Sequence, residues 1–169
     1  MTGFDMTGAR HDERVRLLID QADIAAAVHR YAEGLDHGDA EVLTSALTED
    51  AVVDLSAATA RIGFEFPALR PRDVVVDTLI AAVGPLDTSH SITNLRVTVH
   101  GDTATARCYA MAQHFPPGEG SRPDKTRHAL MMNRYTAELV RCPDLWRIAR
   151  LTIDNAWFEG DPTVLLQAS

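Results

Sequence analysis

The sequence predicts an α+β domain in which helices come first and a bent antiparallel sheet follows. Apolar residues recur at helical spacing in the first part of the chain, and after about residue 94 the pattern alternates with the period of two that is typical of strands. The elements do not alternate as βαβ units do, which argues against a parallel sheet. With 169 residues, the chain is long enough to bury one substantial core.

The helical part is predicted to begin at about Asp20. We expect residues 1–18, which are polar and weakly patterned, to form a flexible arm before a single domain over residues 19–169. A short second helix fits residues 40–47, with Asp39 as its N-cap. One apolar stripe marks the first helix: Ile24, Val28, Tyr31 and Leu35.

The middle of the chain predicts shorter elements. Residues 51–55 are a β-branched run suited to a strand, and residues 61–66 fit a second short strand with a bend at Gly63. Residues 72–83 predict a helix that ends at Gly84.

The remainder is predicted to be a meander of four antiparallel strands. Residues 100–102 form a tight turn, and residues 116–125, rich in proline and glycine, form an exposed loop. Residues with small side chains share one face of the second strand, which suits close packing of a helix. The four strands are expected over residues 94–99, 103–115, 126–140 and 146–153.

Charge and composition argue against several classes of protein. The net charge of −8 repels nucleic acid and anionic lipid, and no window approaches the roughly 20 apolar residues that span a bilayer. No secretory signal is visible, and Cys108 and Cys142 are too few for a disulfide framework. We therefore expect a cytoplasmic protein with no nucleic-acid or membrane partner.

Three groups of motifs then identify a resemblance. They are YAEGLDHGD (31–39) with LTEDAVVD (47–54), TSHSITN (88–94) with GDTA (101–104), and YTAEL (135–139) with LWRI (145–148) and WFEG (157–160). With these motifs in this order, the chain resembles members of the SnoaL-like branch of the nuclear transport factor 2-like superfamily. The resemblance implies a cone-shaped curved antiparallel sheet whose N-terminal helices enclose a pocket, and a homodimer or higher homo-oligomer.

Similarity to the scytalone dehydratase and bile-acid dehydratase group implies a more specific site. In that group a tyrosine and an aspartate near the end of the first helix face a histidine on a central strand, and Tyr31, Asp36 and His90 occupy these positions. His114 fits a second histidine that scytalone dehydratase-like proteins carry on the next strand. Substrate-binding positions on later strands point to Asn133 and Arg150, while His128 is expected near the pocket mouth and Met131 in its lining or in the core.

These residue types suit elimination of water next to a carbonyl group. Such a reaction needs a base for a carbon-bound proton, an acid for the departing hydroxyl and donors for the developing enolate. We expect His90 to be the general acid/base, Asp36 to orient it, Tyr31 to polarise the carbonyl, and His114 to donate a second proton or bind the hydroxyl. The substrate would be a hydrophobic, oxygenated small molecule of polyketide, steroid or terpenoid type. Dehydration by a lyase is the first expectation, and proton-transfer isomerisation or cyclisation is the alternative reaction. No cofactor is expected, and the histidine spacing predicts no metal site.

Each residue also has a structural interpretation. Tyr31 could be a core tyrosine, Asp36 could cap the following turn, His90 could cap a strand, and His114 could be exposed beside the loop. On an ideal helix Tyr31 and Asp36 are about 140° apart, so they share a cavity only if it wraps the helix end or the helix unwinds. Two other classes therefore remain open: a non-catalytic binding module and a structural partner like the small (beta) subunit of a dioxygenase.

Overall fold

The computed structural model describes residues 6–124 and 127–166. The helices are α1 (Met6–Asp36), α2 (Ala40–Ser45), α3 (Ser56–Arg61) and α4 (Arg72–Val83), with a 3-10 turn at Pro162–Leu166. The strands are β1 (Leu47–Asp54), β2 (Asp87–His100), β3 (Thr103–Phe115), β4 (Ala129–Arg141) and β5 (Trp146–Gly160). Helices thus precede the main sheet, which confirms the predicted α+β class.

The sheet has the strand order β1-β5-β4-β3-β2. Strands β2 to β5 form the predicted antiparallel meander, and β1 lies parallel to β5. The β2–β3 register shifts between Thr93 and Arg96, where Asn94 has a φ of 54°. Because such bulges bend a strand and increase its twist, the sheet curves and leaves a concave inner face toward the helices.

Helix α1 packs on that inner face through its apolar stripe. Burial on β3 alternates over its whole length, so one face of the strand consists almost entirely of small side chains. Small side chains let the helix backbone come close, and each large aliphatic residue buried there contributes about 1.5–3 kcal/mol. The buried residues of the two faces are Ile24, Ala27, Val28, Tyr31 and Leu35 on α1, and Ala104, Ala106, Cys108, Ala110 and Ala112 on β3.

A polar cluster fastens the middle of α1 to the β4–β5 hairpin. Asp20 accepts two hydrogen bonds from Arg141, at 2.6 and 2.8 Å, and one from the indole of Trp146 at 3.2 Å. The Arg141 guanidinium also lies 4.5 Å from the centre of the Trp146 ring. Trp146 is among the largest fully buried side chains, so the cluster fixes where α1 crosses the sheet.

The structure differs from the sequence predictions in two segments, the start of α1 and the residues that follow α3. Helix α1 begins at Met6, although residues 1–18 were expected to form a flexible arm; residues 1–5 lie outside the described part. Side chains 11–19 are exposed, and an exposed helical turn shows no apolar periodicity. The predicted strand over residues 61–66 is wrong: α3 ends at Arg61, and the segment after it is irregular.

Strands β2 and β5 are longer than predicted. Strand β2 begins at Asp87 rather than 94, so His90 lies within the strand, and β5 continues to Gly160. The predicted start of β4 at Thr126 lies outside the described residues, and the strand is described from Ala129. Helix α4 has the predicted bounds.

Candidate functional site

A cavity of about 360 Å³ lies between the helices and the inner face of the sheet. Its wall is mainly apolar and includes Leu35, Leu55, Phe64, Phe66, Leu79 and Ile153. Its polar side chains are Tyr31, Thr59, Glu65, His90, His114, Asn133 and Tyr135. A larger, open hollow of about 1020 Å³ lies on the outer face of the sheet, but neither His90 nor His114 lines it. The cavity on the inner face is therefore the candidate site.

A hydrogen-bonded pair of His90 and Asp36 stands at one side of this cavity. Asp36 Oδ1 lies 2.5 Å from His90 Nδ1, and Asp36 Oδ2 accepts from the His90 backbone N–H at 2.8 Å. Strand β2 is at the edge of the sheet, so this N–H has no neighbouring strand to bond with. Asp36, the last residue of α1, therefore accepts hydrogen bonds from both the backbone N–H of the edge strand and the imidazole ring through one carboxylate.

The charge of Asp36 fixes the protonation of the imidazole nitrogens. Burial alone would raise the pKa of Asp36, but the hydrogen bonds and the charge of His90 outweigh it and lower that pKa. An ionised carboxylate only accepts, so His90 Nδ1 carries a hydrogen. His90 Nε2 is left to face the cavity, where it is a base in the neutral ring and a donor in the imidazolium.

His114 lies beside His90 in the lining of the same cavity. The two ring centres are 5.6 Å apart and the rings are nearly perpendicular. His114 Nδ1 lies 3.4 Å from the carbonyl oxygen of Ala129, which can only accept, so the Nε2 atom of a neutral ring is an acceptor. Burial, with a smaller contribution from the charge of His90, lowers the pKa of His114 from 6.5 to about 4. At neutral pH His114 is therefore an uncharged hydrogen-bond acceptor or base.

This buried histidine predicts a specific pH dependence of stability. The pKa of about 4 in the folded protein is below the 6.5 of the unfolded chain, so between these values the unfolded chain binds more protons. The free energy of unfolding should therefore fall by about 2 kcal/mol from pH 7 to pH 5 on account of His114. Urea unfolding of wild type and His114→Leu at both pH values measures this. An equal pH dependence in both proteins would contradict the buried, neutral assignment.

Two tyrosines from different elements meet at the cavity wall. Tyr31 on α1 and Tyr135 on β4 are both buried, with ring centres 6.2 Å apart in an edge-to-face arrangement. Burial raises the pKa of both hydroxyls, which are therefore protonated donors. Neither hydroxyl has a hydrogen-bond partner among the described residues. The one fully buried side-chain polar atom that lacks a partner in this part of the chain is Arg30 Nε. The two hydroxyls are therefore not fully buried, and they border open space. No site role for Tyr135 was predicted from the sequence.

Two of the four predicted substrate-binding residues line the cavity. Asn133 and Met131 are on β4, two residues apart on the inner face that also carries Tyr135. Asn133 is almost fully buried and accepts a hydrogen bond from Asn155 at 3.1 Å. Asn155, on β5, was not singled out from the sequence.

The other two predicted residues are not in the lining. His128 is half-buried beside the aromatic ring of Phe115, with ring centres 6.0 Å apart. Arg150 is exposed on the outer face, where Glu138 is its partner in the β4–β5 register. The assignment of both residues to the pocket is therefore corrected.

The helix geometry of Tyr31 and Asp36 does not require unwinding. Helix α1 remains regular to Asp36, and Tyr31 borders the cavity directly. Asp36 instead acts behind His90, which it holds from the far side of the ring. The two residues can therefore serve one site from different faces of the helix.

Two kinds of feature are absent from residues 6–124 and 127–166. This part of the chain contains no group of three or more histidine, cysteine, aspartate or glutamate side chains placed to hold a metal ion. None of its helices is both long enough and apolar enough to cross a membrane.

Comparison with known proteins identifies the fold family. A family model for the SnoaL-like domain matches residues 16–152. The chain is 33% identical over 147 residues to terrestric acid biosynthesis cluster protein E of Penicillium crustosum, covering 85% of this chain and 88% of that protein. A similar solved structure is a nuclear transport factor 2-like protein with a cystatin-like fold from Novosphingobium aromaticivorans (30% identity, TM-score 0.64, 98% and 99% of the two chains). A hexachlorocyclohexane dehydrochlorinase from Novosphingobium barchaimii shares the fold (20% identity, TM-score 0.70, 88% and 94%). The chain therefore belongs to the SnoaL-like family of the nuclear transport factor 2-like superfamily.

Proposed function

We propose that this protein is a cofactor-free enzyme that removes water from a neutral, mainly hydrophobic β-hydroxy carbonyl compound. The main support is the pairing of His90 with an ionised Asp36 beside a mainly apolar cavity. An oriented histidine with one free nitrogen is the usual general acid/base in proteins.

The reaction needs one proton to be taken and one to be given back. His90 Nε2 removes the proton from the carbon next to the carbonyl, and Asp36 stabilises the imidazolium that forms. The electron pair of the broken C–H bond moves onto the carbonyl oxygen as an enolate, which the hydroxyls of Tyr31 and Tyr135 stabilise by hydrogen bonds. The enolate then collapses, the C–O bond to the β-hydroxyl breaks, and the imidazolium proton leaves with that hydroxyl as water. His114 Nε2 accepts a hydrogen bond from the hydroxyl and orients it.

The lining favours an uncharged substrate. Among the described residues that line the cavity, none is lysine or arginine, and Glu65 places a carboxylate at the mouth. Anionic groups would find no countercharge in such a site. The relative from Penicillium crustosum is named for a biosynthesis cluster, which supports a small metabolite as substrate.

A bicyclic hydroxytetralone that becomes a fluorescent naphthol on loss of water tests this proposal. We expect naphthol to accumulate with wild type faster than in buffer, and to stop accumulating when a non-reactive tetralone occupies the cavity. Binding of the tetralone without turnover of any β-hydroxy ketone in a panel would instead support a non-catalytic binding module. Absence of both binding and turnover would support a structural partner of the dioxygenase small-subunit type.

We also propose that the chain forms a homodimer through the outer face of the sheet. Arg96 and Arg107 are directly opposite each other there, and neither has a carboxylate partner within residues 6–124 and 127–166. Like charges in such a pair are unfavourable unless a second molecule supplies acidic groups. Met111, Met132 and Trp157 form an apolar row across three strands of that face. We expect a dimer mass by light scattering, and a monomer for Trp157→Asp; a wild-type monomer at micromolar concentration would contradict the proposal.

A further inference from the structure

The amide of Asn155 lies behind the cavity wall rather than in it. Asn155 and Asn133 are partners in the β5–β4 register and are both buried, at 5% and 4% exposure. Asn133 lines the cavity, whereas Asn155 does not. Because Asn155 does not border the cavity, any effect of its amide on a ligand must be exerted through the groups to which it is hydrogen-bonded.

Two backbone carbonyls fix which way the Asn155 amide points. One terminal atom of that amide lies 3.0 Å from the carbonyl oxygen of Trp157 and 3.5 Å from that of Met132. Carbonyl oxygens only accept hydrogen bonds, so this atom is the nitrogen, Nδ2. The assignment depends on the backbone and not on a free choice between oxygen and nitrogen.

The orientation of the Asn155 amide determines the orientation of the Asn133 amide. Asn155 Nδ2 also lies 3.1 Å from one terminal atom of the Asn133 amide, which must then be the accepting oxygen, Oδ1. Asn133 Nδ2 is consequently turned away from Asn155. It has no protein partner among the described residues and is not enclosed by protein atoms, so it borders the cavity as a donor.

We propose that Asn155 is a positioning residue that makes Asn133 a fixed hydrogen-bond donor, so that the cavity selects a ligand with an acceptor oxygen at this point. A carbonyl or ether oxygen satisfies the Asn133 donor. A ligand without oxygen leaves it unpaired, and a buried unpaired donor costs affinity. Without Asn155 the Asn133 amide can also turn over and present its oxygen, which weakens the preference for an acceptor. This inference rests on the proposed use of the cavity for an oxygenated small molecule.

Three bicyclic probes of similar shape test the inference by binding alone. α-Tetralone carries an acceptor only, α-tetralol can donate or accept, and tetralin has no oxygen. We expect wild type to bind α-tetralone about tenfold more tightly than tetralin, as one hydrogen bond of ordinary strength allows. In Asn133→Leu this preference should disappear.

Variants of Asn155 then separate positioning from simple packing. In Asn155→Leu we expect the preference for α-tetralone over tetralin to fall about threefold or more, and α-tetralol to bind at least as well as α-tetralone. Because Asn155 acts through Asn133, adding Asn155→Leu to Asn133→Leu should leave the ratio of affinities unchanged. Asn155→Ser, which is too short to hold both carbonyls and Asn133, serves if the leucine variant does not fold.

The outcomes distinguish this inference from the proposed function. An unchanged tenfold preference in the Asn155 variants, or a further change of the ratio in the double variant, would overturn the positioning role while leaving the cavity as a binding site. Failure of all three probes to bind wild type would overturn the proposed use of the cavity and this inference with it.

Discussion

Replacement of His90 with alanine is expected to lower turnover of a β-hydroxy ketone by about 10²–10⁴-fold, the range that general acid/base catalysis contributes. The substitution removes Nε2, which takes the proton from carbon and returns it to the leaving hydroxyl. Binding should change much less, because the apolar wall and the donors of Tyr31 and Tyr135 remain. Steady-state kinetics of naphthol formation, together with probe affinity, measure the two effects separately.

A histidine on the exposed side of α1 supplies the control. His29→Ala removes an imidazole of the same kind outside the cavity and should leave turnover unchanged. Free imidazole should restore part of the activity of His90→Ala by occupying the vacated space. Turnover of His90→Ala within a few-fold of wild type, in a folded protein, would eliminate His90 as the acid/base.

Asp36→Asn is expected to reduce turnover about 10²–10⁴-fold as well, although the imidazole itself remains. The carboxylate accepts from both the backbone N–H and Nδ1–H of His90, whereas an amide can accept at only one of its two terminal atoms. If the amide oxygen keeps the backbone N–H, the amide NH₂ faces Nδ1, which must become an acceptor. The hydrogen then moves to Nε2, and His90 can no longer take a proton there.

The stability of the same variant is a second measurement. Loss of one charge-assisted hydrogen bond should cost about 1–3 kcal/mol of unfolding free energy. Because the pKa of Asp36 is lowered in the folded protein, the wild-type advantage should be complete at pH values above 3.8 and should vanish as pH falls below it. Asp39→Asn, which keeps a good N-cap for α2, is the matched control. Wild-type kinetics in Asp36→Asn would show that the carboxylate has a structural role only.

The sequence predicted those elements whose side chains have a buried and an exposed face. Helix α4 and strand β3 have the predicted bounds because their patterns reflect one-sided burial. The pattern was misleading for residues 61–66, where Ile62, Phe64 and Phe66 alternate as in a strand. Their apolar side chains instead border the cavity from an irregular segment after α3.

The candidate site was predictable where it depends on residue identity and less so where it depends on register. Tyr31, His90 and His114 were found through motif positions, but Tyr135 and Asn155 are recognised only when their strands are paired. Arg150 was misplaced for a physical reason. The β4–β5 register shifts between Glu138 and Leu139, so Ile148 and Leu151 face inward and Arg150 is turned outward.

A crystal structure with a bound, non-reactive tetralone is the decisive test of the proposed roles of His90 and the cavity donors. We expect the ketone oxygen within about 3 Å of the hydroxyls of Tyr31 and Tyr135 or of Asn133 Nδ2, as hydrogen bonds require. The carbon next to the carbonyl should face His90 Nε2, with Asp36 still bonded to Nδ1. A ligand seated on the outer face of the sheet, or one in the cavity with its oxygen turned away from all these groups, would contradict this assignment of the site.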